Sequence, residues 1–122
     1  MTLGEITGIV EALVLTKRAD MKRDIRRAYC ADLMSDVLAF SVTHALLITG
    51  LTNAQVIRTA DVADLKAIVF IQGKRPEVET IAMAESKNIP LLVTSLSMFD
   101  VCGRLYEKGL RSRPGECHDQ ER

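Results

Sequence analysis

Residues 45–48 read Ala-Leu-Leu-Ile and residues 67–71 read Ala-Ile-Val-Phe-Ile, two runs with no polar interruption. A strand with one wet face alternates apolar and polar residues. A short run that is apolar throughout needs cover on both sides, the situation of strands inside a parallel sheet. Each run ends in a breaker followed by a helix-start signal. The first exits through Thr49-Gly50-Leu51-Thr52-Asn53 and the second through Gln72-Gly73-Lys74-Arg75-Pro76. Leu91-Leu92-Val93-Thr94, followed by Ser97, repeats the pattern a third time. A chain that alternates such units is expected to wind into one layered α/β domain.

The intervening segments carry helical signals. Thr2 and Glu5 form a capping-box pair ahead of Leu3, Ile6 and Val10. Residues 12–15 read as a strand and residues 16–20 as its exit turn. Residues 25–30 read as a second strand, and Asp32 as the N-cap of a helix reaching Phe40, with Leu33/Val37 and Met34/Leu38 as i,i+4 pairs. Asn53 reads as the cap of a helix whose inner face is Val56, Ile57, Ala60 and Ala63. Pro76 suits the first turn of the next helix, Glu77 and Glu79 suit its positive end, and Val78, Ile81, Ala82 and Glu85 share one face. Asn88 and Pro90 stop it. Ser97 caps a last helix with the stripe Met98, Val101, Cys102 and Leu105, ended by Lys108-Gly109. The expected fold is therefore α/β: a mostly parallel sheet of four to five strands with helices on both faces. Residues 1–110 form the domain, and residues 111–122, polar and containing Pro114-Gly115, form a tail expected to be disordered.

Charge and composition narrow the function. Sixteen basic and sixteen acidic residues balance, and aromatics make up 4%, which speaks against a nucleic-acid binder. No apolar run approaches a membrane span, and the first residues lack the pattern of a secretory leader. Three widely spaced cysteines, Cys30, Cys102 and Cys117, argue for a reducing, cytoplasmic setting rather than a disulfide framework. Six basic residues between Lys17 and Arg27 read as a solvated, charge-blunted edge, with an anion-binding patch as the rival reading.

In parallel sheets, ligands bind beyond the carboxyl ends of the strands. The candidate binding residues there are Thr49, Gly50, Thr52, Asn53, Gln72, Gly73, Lys74, Arg75, Thr94 and Ser95. Helix N-termini at these turns offer free N–H groups, and Lys74 and Arg75 offer charge, so an anionic small molecule fits the pattern. The same small and polar residues also make good turns and caps. No P-loop, G-x-G-x-x-G, C-x-x-C or H-x-x-x-H spacing occurs, so no cofactor or metal is expected. Cys117-His118 is an incidental pair in the tail. Cys30 and Cys102 read as core thiols, with a reactive Cys30 as the alternative. His44 reads as a loop residue.

The residues 32–39 (DLMSDVLA), 46–53 (LLITGLTN), 57–60 (IRTA), 69–74 (VFIQGK) and 97–99 (SMF) together resemble the DRTGG-domain family over about residues 1–110. The likeness is to small stand-alone members encoded near iron-only hydrogenase genes in anaerobic bacteria. The five-residue string that names the family is not present in the chain, so no family ligand residue is carried over. The resemblance implies a fold like the non-catalytic N-terminal domain of HPr kinase/phosphorylase. It implies a regulatory, ligand-sensing or protein-interaction module rather than an enzyme, a homodimer, and a hydrogenase-related protein partner. The enzymatic alternative is a phosphate-handling one built on Gly73-Lys74-Arg75 and Ser95. A redox role through Cys30 is the third reading. Met83 and Tyr106, off the main stripes, are the candidate dimer patch.

Overall fold

A computed structural model of the 122-residue chain describes residues 1–40 and 43–113. The elements run α1 (Leu3–Ile9), β1 (Leu13–Val14), β2 (Arg27–Cys30), α2 (Met34–Phe40), β3 (Ala45–Thr49), α3 (Ala54–Val62), β4 (Ala67–Phe70), α4 (Val78–Ser86), β5 (Leu91–Val93) and α5 (Met98–Glu107). The sheet order is β1-β5-β4-β3-β2. Strands β2 to β5 are parallel in unbroken sequence order, and β1 closes the far edge antiparallel to β5. The two apolar runs lie side by side, Leu47 opposite Ile68 and Ile48 opposite Val69.

Every residue of β3, β4 and β5 is buried. Successive side chains point to opposite faces of a strand, so each of these strands feeds two cores. Ala45, Leu47, Ile68, Phe70, Leu91 and Val93 pack under α2, α3 and α4. Leu46, Ile48, Ala67, Val69, Ile71 and Leu92 pack under α1 and α5. All three crossover helices share one face, as they must when parallel strands follow one another in order with a constant hand. This is the α/β architecture, with helices on both faces, that the sequence implies.

Several local expectations hold. Thr2 Oγ1 accepts from Glu5 N, and Glu5 Oε1 accepts from Thr2 N, which holds the Glu5 carboxyl below the ordinary range. Ser97 Oγ accepts from Asp100 N. Asn88 and Gly109 end α4 and α5 with positive φ.

Others are corrected. Asp32 does not cap α2, which starts at Met34; its carboxylate is taken up elsewhere. On α2 the inward residues are Met34 and Val37, while Leu33 and Leu38 are exposed. Asn53 occupies the N-cap position of α3 without a side-chain cap bond. Pro76 lies buried two residues before α4 rather than in its first turn. The inner face of α4 is accordingly turned to Thr80 and Ala84, with Ile81 and Met83 packed beside them, and Val78 is 78% exposed. Met83 is thus half-buried against the core.

The basic segment proves to be an irregular loop that crosses under the sheet. Arg23 Nη1 donates to the carbonyls of Lys66 and Asn88, tying the entries of β4 and β5 together. Beyond residue 110 the chain still pairs, because the Arg111 carbonyl accepts from Ala28 N at 3.0 Å. Most of the expected tail, with Cys117-His118, lies outside the described residues.

Phe70 is among the largest fully buried side chains. Phe70→Ala is expected to lower the unfolding free energy by about 3–5 kcal/mol in urea titrations. Phe99→Ala, at a position 85% exposed, is expected to change it by no more than about 0.5 kcal/mol.

Candidate functional site

Because β2 to β5 run the same way, their exits gather along one edge. The turns there are stitched together by backbone. Ile71 N donates to the Thr49 carbonyl, Gln72 N to that of Leu96 and Gly73 N to that of Thr94, at 3.3, 2.9 and 2.8 Å. Gln72 and Gly73 are both left-handed, with φ of 55° and 68°, and Lys74 N closes onto the Ile71 carbonyl at 3.0 Å. Two consecutive positive φ values define a tight primed turn, and Gly at the second position meets its demand without strain. The turn lifts Lys74 and Arg75 into solvent, where both are exposed.

Two of the ten candidate residues face inward. Thr49 and Thr94 are 0% and 1% exposed. Each ends its strand in the same way: the hydroxyl accepts from the N–H two residues on, Leu51 or Leu96, at 3.2 Å. Each hydroxyl also donates, Thr49 to Asp32 Oδ1 and Thr94 to the Val10 carbonyl. These threonines shape the turns from beneath. Gly50, Thr52, Asn53, Gln72, Gly73, Lys74, Arg75 and Ser95 line the outer side.

Asp32, expected as a helix cap, belongs to this group as well. Its Oδ1 accepts from Gly50 N at 2.8 Å and from Thr49 Oγ1 at 3.0 Å, clamping the β2 exit to the β3 exit. A Cβ placed on Gly50 would lie 3.4 Å from Lys74 Nζ and 3.6 and 3.7 Å from the two Asp32 carboxylate oxygens. Gly50 is thus the floor of a small gap with an ammonium and a carboxylate at its rim. The position of Asp32, two residues after a strand and beside another strand's exit, was the signal available in the sequence.

The edge is a ridge, not a cleft. Crevices open in parallel sheets where the strand order reverses, and the order from β2 to β5 never does. Some of the N–H groups expected to be free are engaged as well, those of Gly50, Gln72 and Gly73 among them. Hollows lie elsewhere. One of about 380 Å³ sits at the opposite end of the sheet, lined by Arg23, His44, Asp61, Lys66 and Asn88 among others. A smaller apolar one of about 180 Å³ lies between β2 and α5, lined by Cys30, Ile48, Cys102, Leu105 and Tyr106 among others. Among the described residues no group of three or more His, Cys, Asp or Glu is placed to hold a metal ion. No helix among them is long and apolar enough to cross a membrane.

The family model described as the DRTGG domain matches residues 5–107. No curated protein sequence matches the chain. Among solved structures, the chain is similar to the CBS and DRTGG domains of the regulatory region of a pyrophosphatase from Clostridium perfringens, complexed with the activator diadenosine tetraphosphate. The TM-score is 0.71 at 16% identity, covering 85% of this chain and 45% of that one. The likeness is one of fold, and the chain spans less than half of that neighbour.

Removing the clamp tests its role. Asp32→Ala is expected to cost about 1 kcal/mol of stability and to speed hydrogen exchange at the Gly50 amide, read by NMR, while the Ile68 and Val69 amides keep their protection.

Proposed function

The chain belongs to the DRTGG-domain family, and we propose that it is a regulatory module that binds an anionic, nucleotide-like small molecule on the ridge formed by the β2, β3 and β4 exits. The observation that carries this reading is the gap over Gly50. Lys74 and Arg75 have no ion-pair partner among the described residues. Asp32 presents Oδ2 at the rim of that gap, as Lys74 presents Nζ, because Oδ1 takes both bonds from the β3 exit. A pure anion would be repelled by that carboxylate. A ligand with a phosphate for the two cations and a hydroxyl or amino donor for Asp32 satisfies both, and a nucleotide carries all of these groups. The N-terminus of α3, from Asn53, is uncapped by side chain and adds partial positive charge to the same ridge.

The pyrophosphatase neighbour is bound to a dinucleotide activator, which supports a nucleotide as the class to test first. Because this chain corresponds to 45% of that one, the proposed residues rest on the geometry of the ridge alone. An open ridge excludes little water, which suits reversible sensing better than phosphoryl chemistry. The catalytic alternative would need an acid–base group beside Lys74, Arg75 and Ser95. Asp32 is the acid at hand, and it is engaged in holding Thr49 and Gly50. A homodimer and a hydrogenase-related protein partner belong to the same proposal, with the exposed Leu38 and Phe40 of α2 as outward apolar contacts.

Calorimetric titration with adenine mono-, di- and dinucleoside polyphosphates is expected to show saturable binding. Lys74→Ala combined with Arg75→Ala should weaken it at least about tenfold, or about 1.4 kcal/mol. Absence of binding by every nucleotide tested would remove the sensing reading. Steady release of phosphate, abolished by the double variant, would favour the enzymatic one.

A further inference from the structure

The sequence places Cys30 and Cys102 seventy-two positions apart, and the fold brings their sulfurs to 3.4 Å. Cys30 ends β2, an edge strand, and is exposed; Cys102 lies on the inner stripe of α5 and is half-buried. Cys102 donates its S–H toward Cys30 Sγ. That bond draws the Cys30 thiol down to about 7, against the opposing effects of burial and the nearby Asp32 charge, while Cys102 is pushed up by the same bond. One sulfur is therefore accessible and the other is held in contact behind it. They share the wall of the apolar hollow between β2 and α5.

We propose that Cys30 and Cys102 are a hydroperoxide-reactive dithiol that closes into an intramolecular disulfide joining the end of β2 to α5. The thiolate of Cys30 attacks the outer oxygen of the peroxide. The O–O bond breaks, Cys30 becomes a sulfenic acid, and the departing alkoxide or hydroxide takes a proton to leave as alcohol or water. The Cys102 sulfur then attacks the Cys30 sulfur, the S–O bond breaks, and the hydroxyl leaves as water with the Cys102 proton. Two thiols are oxidised by two electrons and one peroxide is reduced. The sulfurs need to close from 3.4 Å to the bonded distance of about 2 Å, a step of the size that small side-chain rotations and adjustments of α5 supply. This pair is distinct from the nucleotide ridge, and its chemistry does not depend on a ligand binding there. It is also distinct from the metal sites that thiols build, since among the described residues no third ligand of the kind joins it.

The test uses the full chain with Cys117→Ser, reduced and then exposed to one equivalent of hydrogen peroxide. Two thiols should disappear together, the mass should fall by two hydrogens, and peptide mapping should find Cys30 linked to Cys102. Dithiothreitol should restore both. In Cys102→Ser the sulfenic acid at Cys30 should persist and label with dimedone. In Cys30→Ser the remaining thiol should survive the same dose. The rate should rise with pH through a midpoint near pH 7, where half of Cys30 is thiolate, and level off roughly one to two units higher. Survival of both thiols in the parent, accumulation of sulfenic acid with Cys102 present, or cross-linked dimers in place of the internal bridge would each overturn the proposal.

Discussion

Burial of β3 and β4 on both faces is the constraint on which the rest of the structure depends. Leu46 and Ile48 face one core while Ala45 and Leu47 face the other. Neither half can be satisfied without a layer of helix on its own side. At roughly 25 cal/mol per Å² of apolar surface removed from water, losing either layer would cost several buried side chains at 1.5–3 kcal/mol each, by order of magnitude about as much as a domain's whole net stability. The chain meets the demand by sending its three crossovers over one face and keeping α1 and α5 for the other. Parallel pairing follows, and with it the gathering of four strand exits on one edge.

That much was legible in the residues. Unbroken apolar runs, breakers after them and capping residues at fixed offsets are local signals, and the structure places the strands within one or two residues of where those signals put them. What was not legible depends on distance. The antiparallel attachment of β1 to β5 is set by a hydrogen-bonded edge, with Leu15 N on the Leu91 carbonyl and Leu91 N on Thr16 Oγ1, and periodicity carries no record of it. On α4, Pro76 looked like a first-turn residue because proline tolerates that position. It is buried ahead of the helix instead, so the inner face falls on Thr80 and Ala84.

The same dependence on distance governs what the sequence shows of the ridge. Turn glycines and the Lys74-Arg75 pair announce themselves by type. Asp32 did not, because an acid ahead of an apolar helix has an ordinary explanation as a cap. Tertiary context outbid that local role: two donors at the β3 exit, Gly50 N and Thr49 Oγ1, converge on one carboxylate oxygen. A charged acceptor that satisfies two donors is a stronger arrangement than a single cap bond. The N-terminus of α2 forgoes that cap in consequence.

Asp32 also links the two features of the carboxyl edge. It lies two residues beyond Cys30, and its charge opposes formation of the Cys30 thiolate. The attraction or repulsion between two charges acts on both, so whatever removes the negative charge at Cys30 relieves Asp32 as well. A bond from Cys30 to α5 would also fix the last residue of β2, from which the chain runs through Ala31 to the carboxylate that holds Gly50. Ala31 N is itself bonded to the Ile48 carbonyl, so little slack separates the sulfur from the clamp. The short path ties the end of β2 to the clamp without any long-range rearrangement.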